Sequence, residues 1–68
     1  MTKKEAIAEM QKGNKVTHTN FSKEEWMTIE NDKIKLEDDV ICSQSEFWRW
    51  RMDLGWNNGY SLWEKPKN

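Results

Sequence analysis

One cysteine, one histidine and one proline in 68 residues leave little room for several kinds of chemistry. Cys42 alone cannot close an internal disulfide, which fits a reducing compartment. Cys42 and His18 cannot assemble a Cys/His zinc set within one chain. No apolar run approaches the roughly 18–20 residues that cross a bilayer. Met1-Thr2-Lys3-Lys4-Glu5 lacks the apolar core of a signal peptide, so a cytosolic location is expected, and no membrane partner. An excess of one charge is lacking too: 11 Lys and Arg face 12 Asp and Glu, a formal charge of −1. Generic duplex-DNA binding wants a basic face, and a DNA mimic wants many more acids. No glycine-rich phosphate loop is present, and the glycines read as helix stops and turns.

What the chain has is aromatic. A hydrophobic fraction of 35% and a mean hydropathy of −1.10 would suit a solvated chain. Five tryptophans, two phenylalanines and a tyrosine argue for order instead, since each ring can bury about 150–250 Å². The expectation is one small domain over residues 1–68 with a thin, aromatic-rich core. So small a core leaves a narrow stability margin, which makes self-association a natural remedy.

Local patterns place the elements. Thr2 and Glu5 form a capping box, Ala6, Ile7 and Met10 share a helical stripe, and Gly13 stops a helix that runs from about Lys3 to Lys12. Lys15 to Thr19 alternates and is β-branched, which predicts a strand with Val16 and His18 on one face. Ser22 and Glu25 repeat the capping box, with Phe21 and Trp26 as a hydrophobic staple around a single helical turn. Asn31-Asp32 suits a two-residue hairpin turn, pairing Glu30 with Lys33, Ile29 with Ile34, Thr28 with Lys35 and Met27 with Leu36. That register puts Met27, Ile29, Ile34 and Leu36 on a buried face and Thr28, Glu30, Lys33 and Lys35 on a solvent face. Val40-Ile41 reads as at most a bridge of strand. A third box, Ser43 with Glu46, starts a helix from about Gln44 to Asp53, with Phe47, Trp50, Arg51 and Leu54 on its buried stripe and Gly55 as its stop. Asn57-Asn58-Gly59 is a turn, Tyr60 to Trp63 a last strand, and residues 64–68 a frayed tail. The fold class is α+β: an antiparallel sheet of three to four strands with two helices on one face, in the order α-β-β-β-α-β.

His18 and Cys42 carry the obvious nucleophile and acid/base chemistry near neutral pH. Each also has a structural explanation, and no third orienting group is evident. Glu37-Asp38-Asp39 does not converge like a cation loop. No catalytic residue, metal or cofactor is expected. Phe47-Trp48-Arg49-Trp50-Arg51 interleaves aromatics with arginines, a composition shared by single-strand binders and interface hot spots. Trp48 and Trp50 stand about 200° apart on a helix, so one surface cannot bury both. With Phe47, Trp50 and Leu54 facing the sheet, Trp48, Arg49 and Met52 turn elsewhere. Trp56 to Tyr60 adds an amide-and-aromatic loop, with Asn58 able to read a polar ligand.

Glu5-Ala6-Ile7, Met10, Gly13 and Lys15-Val16, followed by Phe21 and Trp26, resemble the opening of the Thoeris anti-defence family of nucleotide-signal sponges, small phage and prophage proteins. The resemblance covers Glu5 to Trp26 and, loosely, Tyr60 to Trp63. Thr17, His18 and Thr19 stand where that family has a basic residue and a tryptophan, and the Phe47–Arg51 helix has no counterpart in it. The resemblance implies the α+β form, a phage setting and His18 as a binding residue.

The expected function is that of a non-enzymatic phage or prophage accessory protein binding a host factor or small signalling ligand. The candidate residues are Trp48, Arg49, Arg51, Trp56, Asn58, Tyr60 and His18. The rival reading is a single-stranded nucleic-acid binder using the Trp/Arg helix.

Overall fold

The computed structural model describes residues 1–65; Pro66 to Asn68, the end of the expected frayed tail, lie outside the described residues. The elements are α1 (Lys3–Gln11), β1 (Val16–His18), β2 (Met27–Glu30), β3 (Lys33–Leu36), β4 (Ile41–Ser43), α2 (Gln44–Arg49), a 3₁₀ turn (Leu54–Trp56) and β5 (Tyr60–Leu62). The architecture is α+β, and the sheet has five antiparallel strands in the order β4-β3-β2-β1-β5. The additional strand is β4. Its Ile34↔Cys42 pairing turns Cys42 toward the core, while Val40 and Ile41 remain exposed. Three residues that alternate poorly are enough for a strand when a neighbouring edge supplies the hydrogen bonds.

Local chemistry explains most boundaries. Both halves of the Thr2–Glu5 capping box are made, and Gly13 takes φ +93° after α1. The hairpin has the expected register throughout. Asn31 and Asp32 both take positive φ, 52° and 65°, as a turn matched to strand twist requires. Beside that turn the ion pair is diagonal: Lys35 Nζ lies 3.2 Å from Glu30, and no such pair joins Glu30 to its cross-strand neighbour Lys33 among the described residues. Thr28, expected on a solvent face, is buried there, with its hydroxyl donating to Asn14 O at 2.9 Å. Around Ser22 a single turn forms, closed by Glu25 N donating to Ser22 O at 3.1 Å, but the rings expected to staple it go to different neighbours, Phe21 to His18 and Trp56, Trp26 to Trp63.

The core fills one face of the sheet. Val16, Met27, Ile29, Ile34 and Tyr60 from the strands meet Ala6 and Met10 of α1 and Phe47 and Trp48 of α2. α1 packs on β1, β2 and β5, and α2 on β3 and β4. The segment leading into α1 also closes part of the β5 edge: the Met1 amine donates to Tyr60 O at 2.7 Å and Lys3 N to Asn57 O at 2.9 Å. Among the described residues no helix covers the opposite face, where Lys15, Trp26 and Trp63 gather.

α2 is shorter than its apolar stripe suggests. It ends at Arg49, with Trp50 as its cap, and not near Asp53, because Arg51 turns back and donates from Nη1 to Phe47 O at 3.1 Å. This satisfies a carbonyl that a further turn would otherwise bond. The chain then leaves the sheet, and Gly55 sits within the 3₁₀ turn rather than ending a helix.

Candidate functional site

The seven residues singled out in the sequence divide into a packed cluster of His18, Trp48, Arg51, Trp56 and Tyr60, and two exposed side chains, Arg49 and Asn58. His18 projects from β1 into the core at 3% exposure. The Asn20 amide donates to its Nδ1 at 3.0 Å, which places the ring proton on Nε2. Nε2 then donates toward both Gly55 O and Asn58 O, each at 2.9 Å. Trp56 stacks on the imidazole, and Tyr60 and Phe21 meet it edge-on. The Tyr60 hydroxyl donates to Trp56 O at 2.6 Å. Gly59 closes the turn at φ +92°, a left-handed conformation that favours glycine, and a Cβ there would crowd Thr19 Oγ1 at 3.1 Å and His18 Nε2 at 3.3 Å. In this arrangement the ring nitrogens of His18 and the hydroxyl of Tyr60 are engaged inside the fold. The Asn58 contribution is its backbone carbonyl.

Trp48 and Trp50 exchange the surroundings read from the helical stripe. Trp48 is 9% exposed and packs edge-on against Phe47 and Tyr60, with the Lys3 ammonium 4.4 Å from its ring centre. Phe47 and Trp48 are neighbours on the helix, yet both are buried, because α2 lies in the corner between the sheet and the start of α1. That second surface decides the matter. The indole N–H of Trp48 has no hydrogen-bond partner among the described residues, and neither has Arg51 Nε. The Arg51 guanidinium lies 4.0 Å from the Phe47 ring centre and 5.4 Å from that of Trp56. Arg49 is exposed beside Trp50.

The apolar side chains left outside form a run. Trp50 is 78%, Met52 80% and Leu54 85% exposed, all within five residues. Trp50 also stands at the rim of a cleft of about 200 Å³ shared by Leu36, Cys42, Glu46, Phe47 and Arg51. Burial pushes the Cys42 thiol above its ordinary pKa, against a smaller opposing pull from Arg51. Among the described residues no group of three or more His, Cys, Asp or Glu side chains is placed to hold a metal. No described helix is long and apolar enough to cross a membrane.

Sequence periodicity missed the exposed run because it assumed a helix to about Asp53, with Trp50 and Leu54 on its buried stripe. It also missed a second aromatic group, Trp26 with Trp63, across the sheet from the core. Strand alternation held that signal, since the β1–β2 pairing sets Lys15 and Trp26 on the same face. Compared with protein-family models, curated proteins and solved structures, the chain matches none.

Proposed function

We propose that the chain is a non-enzymatic binding protein that docks on a host protein through Trp50, Met52 and Leu54. The observation that carries this is their near-complete exposure in a chain with so little apolar surface to spare. A standard interface buries about 800 Å² per partner, of which somewhat over half, about 450 Å², is apolar. One indole supplies about 150–250 Å² of that, and Met52 and Leu54 extend it. Tryptophan and arginine lead the residues that dominate binding energy, and Arg49 lies against Trp50. A small signalling ligand has less support, since the polar atoms of His18 and Tyr60 are engaged within the fold. The phage setting and the cytosolic location rest on the resemblance of Glu5 to Trp26 and on the composition alone.

The test places a photo-crosslinking residue at position 52 of the full chain in bacterial cytosol. One protein, recovered by mass spectrometry and lost with Trp50→Ser, is the expected result. Crosslinks chiefly between copies of this chain would make the surface a self-association interface and overturn the host-protein reading. Diffuse labelling indifferent to Trp50→Ser would overturn it as well.

A further inference from the structure

We propose that the outer face of the sheet is a platform for single-stranded nucleic acid, with Trp26 and Trp63 stacking on bases and Lys15, Lys33 and Lys35 meeting phosphates. This face is separate from the Trp50 surface, which adjoins the helix-covered side. Strand alternation sets these five side chains on one side of the sheet, opposite the core residues Val16, Met27 and Ile34. The tryptophan rings lie 5.9 Å apart with planes inclined by 48°. The Lys15 ammonium sits 4.4 Å from one ring centre and 5.5 Å from the other. Trp63 is anchored by its indole N–H, which donates to Lys23 O at 3.0 Å. A ring already held in place loses little freedom when a base stacks on it.

Charge points to the same occupant. The chain as a whole carries −1, yet this face and its flank hold three lysines, Lys15, Lys33 and Lys35, against two carboxylates, Glu30 and Asp39. Lys33 is exposed and pairs with no carboxylate among the described residues. Lys35 lies 3.2 Å from Glu30 and 3.6 Å from Asp39. Such exposed pairs contribute little and yield readily to a phosphate. A hollow of about 260 Å³ between Lys33, Lys35, Glu30, Asn31 and Ile41 continues the face away from the tryptophans. A duplex keeps its base faces stacked inside, so stacking on two tryptophans selects single strands.

The experiment is fluorescence anisotropy of a labelled oligothymidine of about 15 nucleotides, a length in the range of single-strand sites. Three phosphate contacts give a log–log salt slope of about −2, which is about 16-fold weaker binding on going from about 50 to 200 mM salt. Lys33→Glu, at an exposed position, is expected to weaken binding at least fivefold and flatten the slope. Trp26→Leu, checked for folding by circular dichroism, is expected to remove most of the affinity. Trp50→Ser is expected to bind as the parent does, which separates this face from the protein-docking surface. Three results would overturn the proposal: no binding at about 100 μM protein, the weak end of non-specific affinity; equal binding to a duplex or to base-free polyphosphate; or indifference to Lys33→Glu.

Discussion

The imidazole of His18 lies nearly flat on the indole of Trp56, ring centres 4.2 Å apart and planes 26° from parallel. The same imidazole is hydrogen-bonded to the backbone on both sides, so one side chain ties β1 to the loop before β5. His18→Ala strips partners from the Asn20 amide and from two carbonyls and opens a gap under Trp56. The expected loss is about 2–4 kcal/mol in urea denaturation, a large share of so small a domain's stability. A loss under about 1 kcal/mol would mean that water replaces the ring at little cost.

His18 also shows what the sequence could and could not reveal. Its inward direction was legible, because Val16 and His18 alternate with Thr17 and Thr19. Its partners were not, because Gly55 and Asn58 lie far along the chain and contribute only backbone. The register of the hairpin was legible in full, since the turn residues and the alternation specify one pairing, whereas the burial of Thr28 was not. α2 was legible at its start, where Ser43 accepts from the Glu46 amide, and not at its end. There a tertiary choice, Trp48 into the corner with α1, outweighed the helical stripe. The exposed Trp50–Leu54 run follows from that choice and from no local signal.

Two neighbouring tryptophans should therefore respond very differently to the same change. Trp48→Ala empties a core position between Phe47 and Tyr60 and is expected to cost about 3–5 kcal/mol, enough to unfold much of the population. Trp50→Ala removes an exposed ring and should change stability by no more than about 0.5 kcal/mol. Thermal melts followed by far-UV circular dichroism distinguish them. Equal effects would show that α2 does not turn Trp48 inward.

The hairpin turn offers a gain. Asp32 holds φ at +65°, where a Cβ costs on the order of 1 kcal/mol. Asp32→Gly converts the pair to Asn-Gly, the preferred sequence for this turn. Glycine's greater freedom in the unfolded chain offsets part of the relief. The net expectation is a stabilisation of about 0.3–1 kcal/mol in chemical denaturation. Destabilisation would mean that the aspartate side chain supports the turn.

Cys42 is expected to be slow chemically. Burial favours its neutral thiol, and only the thiolate attacks a disulfide reagent. At neutral pH its labelling should lag well behind that of a free cysteine peptide, and approach it once the fold is melted with denaturant. Fast stoichiometric labelling of the folded chain would show an activated thiolate instead.

The alkaline limb of stability should be set in part by Tyr60. Its ring is 2% exposed, and burial pushes the phenol from its ordinary 10 up to about 12, with Arg51 pulling weakly the other way. Below pH 10 the phenol is protonated in both states, and its contribution to stability is fully present. Between pH 10 and about 12 the unfolded chain loses this proton while the folded chain keeps it, so stability falls as pH rises. Lys35 acts in the same direction, because its hydrogen bond to Glu30 raises its pKa and that contribution too is lost on the alkaline side. Tyr60→Phe separates the two. At neutral pH the variant loses the bond to Trp56 O and about 1 kcal/mol. It has no phenol to ionise, so its urea midpoint should fall less steeply with pH, and the gap between the two curves should close and then reverse between pH 10 and about 12. Curves that stay parallel across this window would show that the phenol ionises as readily in the folded chain as in the unfolded one.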